Sequence, residues 1–191
     1  MRIFTEEKRL SLSFFGTEVA RAHFLYPRFE GCVRISGFYA DMEARLEEFF
    51  EKAASACRAE YENTPRGERR SFAPLCIRLF SSVVYASERE ASVTAEYAVS
   101  RGADVIFYRK LCFVWDTERE LLLPPARFLR GRRARLASKN EFYIDGENVY
   151  IVENLFPNGV PREGTRVRLC DYVRQTKVKR RNICTFGGEQ S

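Results

Sequence analysis

Residues 41–63 read DMEARLEEFFEKAASACRAEYEN, and this stretch decides the fold. Its apolar side chains recur at steps of three and four, which places them on one face of an α-helix. Most of its charged residues fall on the opposite face, and Pro65 cannot continue a helix. We therefore predict a core helix over 41–61, with a buried face made of Met42, Leu46, Phe49, Phe50, Ala53, Cys57 and Tyr61.

The start of this helix carries capping residues. Ser36, Gly37 and Asp41 are residue types that can satisfy the free backbone N–H groups of a first turn. We expect one of them to cap the helix, and we expect a short extended piece to lead into it.

Strand patterns dominate the rest of the chain. Two runs flank Gly16, at 8–15 and 17–29, before the helix. Three more follow the helix at 72–86, 91–100 and 104–116, and their short connectors are typical of an antiparallel meander.

A hairpin and a last strand complete the pattern. Asp145-Gly146 lies between two apolar runs, which is a strong hairpin signal. Residues 166–172 are the last predicted strand. We predict an α+β fold with an antiparallel sheet of about six strands packed by one long amphipathic helix. One domain over 1–173 and a basic, flexible tail over 174–191 are the expected organisation.

The charge of the chain is concentrated in two segments. The formal net charge is +6, and ten of the 32 basic residues lie in 130–139 and 174–181, which hold no acidic residue. Such segments can neutralise phosphates if they meet on one face, and otherwise they are a solvated loop and tail. The candidate anion-binding residues are Arg130, Arg132, Arg133, Arg135, Lys139, Arg174, Lys177, Lys179, Arg180 and Arg181.

Residue types needed for catalysis or metal binding are sparse. His23 is the one histidine, and the six cysteines include no CxxC pair, so a zinc site is not indicated. No glycine motif for phosphate binding is present. We interpret His23 as structural, the Glu118/Glu120 pair as solvated carboxylates in a turn, and the cysteines as reduced and buried. We expect no enzyme activity, no metal and no cofactor.

Short aromatic motifs give the chain a family resemblance. They are Tyr26-Pro27 before the helix, Trp115-Asp116-Thr117 at the end of a strand, the hairpin at 142–151, and Leu155-Phe156-Pro157. Over roughly residues 8 to 173 the chain resembles a bacterial domain of unknown function in the extracytoplasmic region of the lysozyme-binding anti-sigma factor. A similar domain precedes the catalytic domain of some peptidoglycan deacetylases. The resemblance implies a non-catalytic domain whose partner is a protein or a cell-envelope component.

Two functional hypotheses follow. The first is a non-enzymatic binding or sensing domain similar to that family. The alternative is a cytosolic nucleic-acid-associated protein that uses segments 130–139 and 174–181. The sequence has no apolar run near the length of a membrane span and no signal-peptide core, which predicts a cytoplasmic protein. The resemblance implies an extracytoplasmic one, if an export segment is missing from this chain.

Overall fold

The computed structural model of the protein describes residues 2–154 and 162–168. Six strands form the larger sheet: β1 (Arg2–Phe14), β2 (Thr17–Glu30), β3 (Leu75–Ala86), β4 (Glu90–Arg101), β5 (Asp104–Asp116) and β6 (Leu121–Leu122). They lie side by side in sequence order. Neighbouring strands are antiparallel, except that β2 and β3 run parallel.

A long helix, α1 (Val33–Asn63), connects β2 to β3 and packs on one face of this sheet. Parallel neighbours need a crossover connection, and the helix supplies it. The predicted α+β fold, with one long helix on a mostly antiparallel six-stranded sheet, is confirmed. The parallel pair escaped prediction because its two strands lie on either side of the helix in sequence.

The start of α1 differs from the prediction. The helix begins at Val33, so the expected start at Asp41 and the extended lead before it were wrong. Ser36, Gly37 and Asp41 lie inside the helix and do not cap it. The hydroxyl of Ser36 instead donates a hydrogen bond to the carbonyl of Phe29, at 3.0 Å.

The cap of α1 comes from a distant part of the chain. Glu120, in the turn between β5 and β6, accepts hydrogen bonds from the backbone N–H groups of Arg34 and Ile35, at 2.5 and 3.4 Å. Its carboxylate also meets the partial positive charge of the helix N-terminus. Because capping rules consider only neighbouring residues, they could not identify a cap from this position.

The main core lies between α1 and the sheet. Phe50, Cys57 and Tyr61 of the predicted face are buried, and Met42, Leu46 and Ala53 pack against the core. Phe49 is 44% exposed, so its assignment to the core was wrong, and Ala54 is buried instead. At the centre, Trp115 Nε1 donates a hydrogen bond to the hydroxyl of Tyr39, at 3.2 Å.

A smaller sheet covers part of the opposite face. It consists of β7 (Glu141–Ile144), β8 (Asn148–Glu153) and β9 (Arg162–Arg168), in that order, and a short helix, α2 (Gly131–Ala137), packs beside it. The predicted hairpin around Asp145-Gly146 is therefore confirmed, but it belongs to a separate sheet. The predicted strand at 166–172 overlaps β9, and residues 169–172 lie outside the described part.

Polar side chains fix the smaller sheet to the larger one. The hydroxyl of Ser92 in β4 is fully buried and accepts the backbone N–H of Ile144, at 3.0 Å. The amide of Asn154 bonds both the N–H and the C=O of Lys110, and Glu141 accepts the N–H of Cys112. These bonds satisfy backbone groups along the outer edge of β5, which would otherwise be open to pairing.

The remaining predictions concern the cysteines and the C-terminal residues. Cys32, Cys57 and Cys76 are buried free thiols, as predicted, but Cys112 is only half-buried, so its predicted burial was wrong. Cys170 and Cys184 lie outside the described residues. The domain boundary at 173 and the tail over 174–191 also lie outside them and stay predictions. Across the described ranges, no helix has the length and apolar character needed to span a bilayer.

Candidate anion-binding groove

An open groove lies on the outer face of the larger sheet, opposite α1. Its volume is about 680 Å³, and strands β1 to β3 form most of its floor. The smaller sheet contacts β4 and β5, which leaves this part of the outer face uncovered. The polar residues that line the groove include Arg9, Ser11, Arg21, His23, Cys76, Arg78 and Ser100.

Strand alternation places these side chains on one face. In β3, Ile77 and Leu79 point into the main core, so Cys76 and Arg78 point outward. The register then aligns residues of neighbouring strands. One row across β1, β2 and β3 consists of Arg9, His23 and Arg78, and the next row, which reaches β4, consists of Ser11, Arg21, Cys76 and Ser100.

Two of the three arginines have carboxylate partners at the rim. Arg9 pairs with Glu7 at 2.5 Å, and the same carboxylate oxygen lies 2.7 Å from His23 Nε2. The hydrogen bonds from Arg9, and then from His23, hold the pKa of Glu7 below its usual value. Arg21 Nη1 lies 3.4 Å from Glu18.

Arg78 differs from the other two arginines. It is exposed, and within the described residues no carboxylate lies at ion-pair distance from it. A guanidinium without an internal partner can bind a carboxylate or a phosphate in bidentate fashion. The groove thus combines one arginine that has no carboxylate at ion-pair distance with two that are paired with carboxylates, and one of these carboxylates, Glu18, itself lines the groove.

Cys76 lies at the floor of the groove beside Arg21. Arg21 Nε donates a hydrogen bond to Cys76 Sγ at 3.0 Å. This bond is the main reason that the pKa of Arg21 is raised. The guanidinium of Arg21 thus lies in direct contact with a buried sulfur atom.

His23 contacts one carboxylate and one aromatic ring in this groove. Its ring contacts Glu7 and packs edge-on against Phe80, with ring centroids 4.9 Å apart. In the described part of the chain, no hydrogen bond joins His23 to a cysteine, and no group of three metal-ligating side chains occurs. The structural role that the sequence predicted for His23 stays a prediction.

The predicted basic residues lie elsewhere. Arg130, Arg132, Arg133, Arg135 and Lys139 are all exposed, on and beside α2. The helix packs on the second core through Ala134, Leu136 and Ala137. Arg174, Lys177, Lys179, Arg180 and Arg181 lie outside the described residues, so a meeting of the two segments remains a prediction. The segment 130–139 does not contribute to the lining of the groove.

Sequence reasoning missed the groove arginines. Arg9, Arg21 and Arg78 are isolated in the sequence, so no charge run marks them. The available signal was weak: each is a basic residue at an outward position of a predicted strand. Their proximity depends on β2 and β3 being parallel neighbours, which the pattern of local turns did not predict.

The protein shares its fold with bacterial domains of unknown function. Neither a protein-family model nor a curated protein matches the sequence. A solved structure of a DUF3298 family member from Bacteroides fragilis is similar, with a TM-score of 0.56, 10% identity, and coverage of 87% of this chain and 89% of that one. A DUF3298 protein from Pseudomonas aeruginosa has a TM-score of 0.50 and 9% identity, with coverage of 88% and 89%. At such low identity these likenesses concern the fold alone.

Proposed function

We propose that this chain is a non-enzymatic binding or sensing domain whose outer-face groove receives an anionic group of its partner. The observation that carries the proposal is the convergence of Arg9, Arg21 and Arg78 on one open groove. Its volume of about 680 Å³ lies within the range of ordinary ligand sites. A protein or cell-envelope component that bears carboxylates or phosphates is the partner that this chemistry would recognise.

The sequence motifs support the same class of function. Their resemblance to the extracytoplasmic region of the lysozyme-binding anti-sigma factor suggests a domain that senses a partner without catalysis. The fold likeness to bacterial domains of unknown function is consistent with this proposal. The groove assigns the sensing hypothesis to a defined surface, whose arginines can be substituted one by one.

The test uses a fluorescent poly-glutamate peptide and acidic peptidoglycan fragments as probes. We expect the full chain to bind at least one of them, and we expect the double variant Arg21→Gln/Arg78→Gln to bind about tenfold more weakly, since two charge-assisted contacts are lost. Arg132→Gln/Arg133→Gln removes the same charge from α2 and is the matched control. Equal binding by wild type and the groove variant would contradict the proposal.

Nucleic-acid binding through the basic segments is the second candidate. Its support is that all five basic side chains of 130–139 are exposed and that the segment holds no acidic residue. Here we expect binding of single-stranded RNA to fall steeply with salt. The α2 double variant should lose this binding and the groove double variant should keep it, so the same pair of proteins separates the two candidates.

A further inference from the structure

Strand β1 leaves one long edge of the larger sheet unpaired. It spans Arg2–Phe14, and in the part of the chain that the structure describes only β2 pairs with it. About every second residue of β1 therefore presents its N–H and C=O groups on the free side. The other end of the sheet is closed differently, since β6 has two residues and the side chains of Asn154 and Glu141 bond the backbone of β5. A long open edge is a template for pairing with another strand.

Most features that block an open edge are missing from β1. Natural edge strands are usually short, or they carry proline or a bulge. Strand β1 has 13 residues and contains neither proline nor glycine, and the register shift in its pairing with β2 lies between Leu12 and Ser13, near its end. Charged side chains do occupy its centre, and they determine which strand can pair with it.

The charges at the centre of β1 change sign along the strand. Glu6 and Glu7 are followed directly by Lys8 and Arg9. An antiparallel second copy places the acidic half of each strand beside the basic half of the other, whereas a parallel copy places like charges together. Opposite charges across neighbouring strands stabilise a pair, and like charges destabilise it. The strand is therefore complementary to itself in the antiparallel direction.

We propose that two copies of this chain associate through their β1 edges, as an antiparallel pair with a two-fold axis at Lys8. The axis runs perpendicular to the sheet, because opposite residues of an antiparallel pair lie on the same face. Glu7 of each copy then lies opposite Arg9 of the other. Within one copy these two exposed side chains pair at 2.5 Å, so the dimer joins two ion pairs into one network of alternating charge.

The two Lys8 residues meet at the axis, and each carries its own compensating charges. Lys8 Nζ lies 2.9 Å from Glu43 and also contacts Glu47, both on α1. Their carboxylates reduce the repulsion between the two lysines. Farther from the axis, Phe4 falls opposite Leu12 of the second copy, which covers part of a ring that is 47% exposed.

The inference goes beyond the proposed function, because association through β1 needs no anionic ligand. It nevertheless affects the groove, since Arg9, Leu10 and Ser11 of β1 are among the lining residues. The perpendicular axis keeps the outer face of both copies on the same side, so the two grooves open on one surface. A partner with two acidic groups could then bind both grooves and gain in affinity.

The experiment measures the mass of the full chain by sedimentation equilibrium over a range of concentrations. We expect the wild type to reach twice the mass of the 22.2 kDa chain. Arg9→Glu and Glu7→Arg should each raise the dissociation constant of the dimer at least about tenfold, because attractive cross-strand pairs become repulsive. Arg89→Glu and Glu118→Arg make the same charge changes at an exposed pair outside β1, and as controls they should leave the dimer unchanged.

A mixture of the two β1 variants tests the register. Arg9→Glu leaves a carboxylate at both positions 7 and 9, and Glu7→Arg leaves a guanidinium at both. Each variant repels itself in the proposed register but complements the other. We therefore expect the mixture to form a heterodimer at concentrations where each variant alone is monomeric. A loss of association that came only from damage to β1 would not be reversed by mixing.

Amide hydrogen exchange of the wild type locates the interface. Protection should rise with protein concentration at the amides of β1. A chain that stays monomeric, a dimer protected elsewhere, or a mixture that stays monomeric would each overturn the proposal. The groove variant Arg21→Gln/Arg78→Gln should dimerise like the wild type, so a failure of association and a failure of anion binding are separate results.

Discussion

The two faces of the larger sheet are formed by the same strands but differ in burial and polarity. In β3, Ile77 and Leu79 are at most 1% exposed against α1, whereas Arg78 between them lies in the open groove. The helix-facing side is closed, apolar and rich in aromatic contacts. The uncovered outer side carries charge that contributes little to folding, since exposed ion pairs are weak. The difference teaches that the apolar contacts are concentrated on one face of the sheet, whereas the proposed binding groove lies on the other.

The largest effect should come from the centre of the helix-facing side. Trp115 is 4% exposed, and its ring packs against Phe38 and Tyr39. Trp115→Ala leaves a cavity, so we expect a loss of roughly 3–5 kcal/mol in the free energy of unfolding. Urea unfolding followed by circular dichroism measures this loss.

The matched control is an aromatic residue of the outer side. Phe80 is half-buried beside His23, so Phe80→Ala should cost only about 1 kcal/mol. Similar losses for the two variants would show that the outer face stabilises the fold as much as the helix-facing side does.

A substitution of Asp145 tests the part of the outer side that the smaller sheet covers. Burial tends to raise its pKa, but hydrogen bonds from the Tyr150 hydroxyl and from the N–H groups of Glu147 and Asn148 outweigh it and hold the pKa at about 2. Asp145→Ala should cost roughly 2 kcal/mol, as expected for hydrogen bonds to a charged group. Denaturant unfolding at pH 7 measures this cost.

The pH dependence supplies the check on Asp145. Its pKa in the folded state lies below the ordinary value of 3.8. Its contribution is therefore present above about pH 4 and lost as the pH falls toward 2. The difference in the free energy of unfolding between wild type and Asp145→Ala should become smaller as the pH falls from 4 to 2. A difference that stays constant down to pH 2 would show that the pKa of Asp145 is not lowered in the folded state.

A substitution of Glu120 tests the cap of α1, the helix that packs on the helix-facing side. Glu120→Ala removes the cap of α1 and should cost about 1 kcal/mol. Glu118→Ala, in the same turn, is the control. Because Glu118 forms only an exposed pair with Arg89, at 3.9 Å, its loss should hardly change the free energy of unfolding. Thermal unfolding of both variants measures the difference, and equal melting temperatures would argue against a cap.

The smallest predicted effect is an increase in the free energy of unfolding rather than a decrease. Phe15 lies at the tip of the β1–β2 hairpin with φ 48°, is 81% exposed, and therefore gains little from burial. A bulky side chain is strained in this left-handed region, where asparagine is accepted. Phe15→Asn should stabilise the fold by up to about 1 kcal/mol, measured by urea unfolding. A destabilised variant would show that the exposed ring contributes contacts that outweigh the strain.

Periodicity accounts for the parts of the structure that were predicted. The 3.6-residue pattern of 41–61 identified the helix, and alternation with short turns identified β3, β4, β5 and the hairpin at 145–146. Positions that depend on distant residues were missed. The helix start is one, since Glu120 supplies its cap, and the separate smaller sheet is another, since its attachment rests on Ser92 and Asn154.

The sequence by itself determined the long helix, most of the long strands and their order, because these follow from local spacing and side-chain chemistry. The tertiary structure alone decided that β2 and β3 are neighbours, because the crossover helix brings together strands that are far apart in the chain. That pairing assembles Arg9, Arg21, Arg78 and Cys76 into one groove. A site built from single residues of separate strands leaves no run in the sequence, and so it emerges only when the strands are in register.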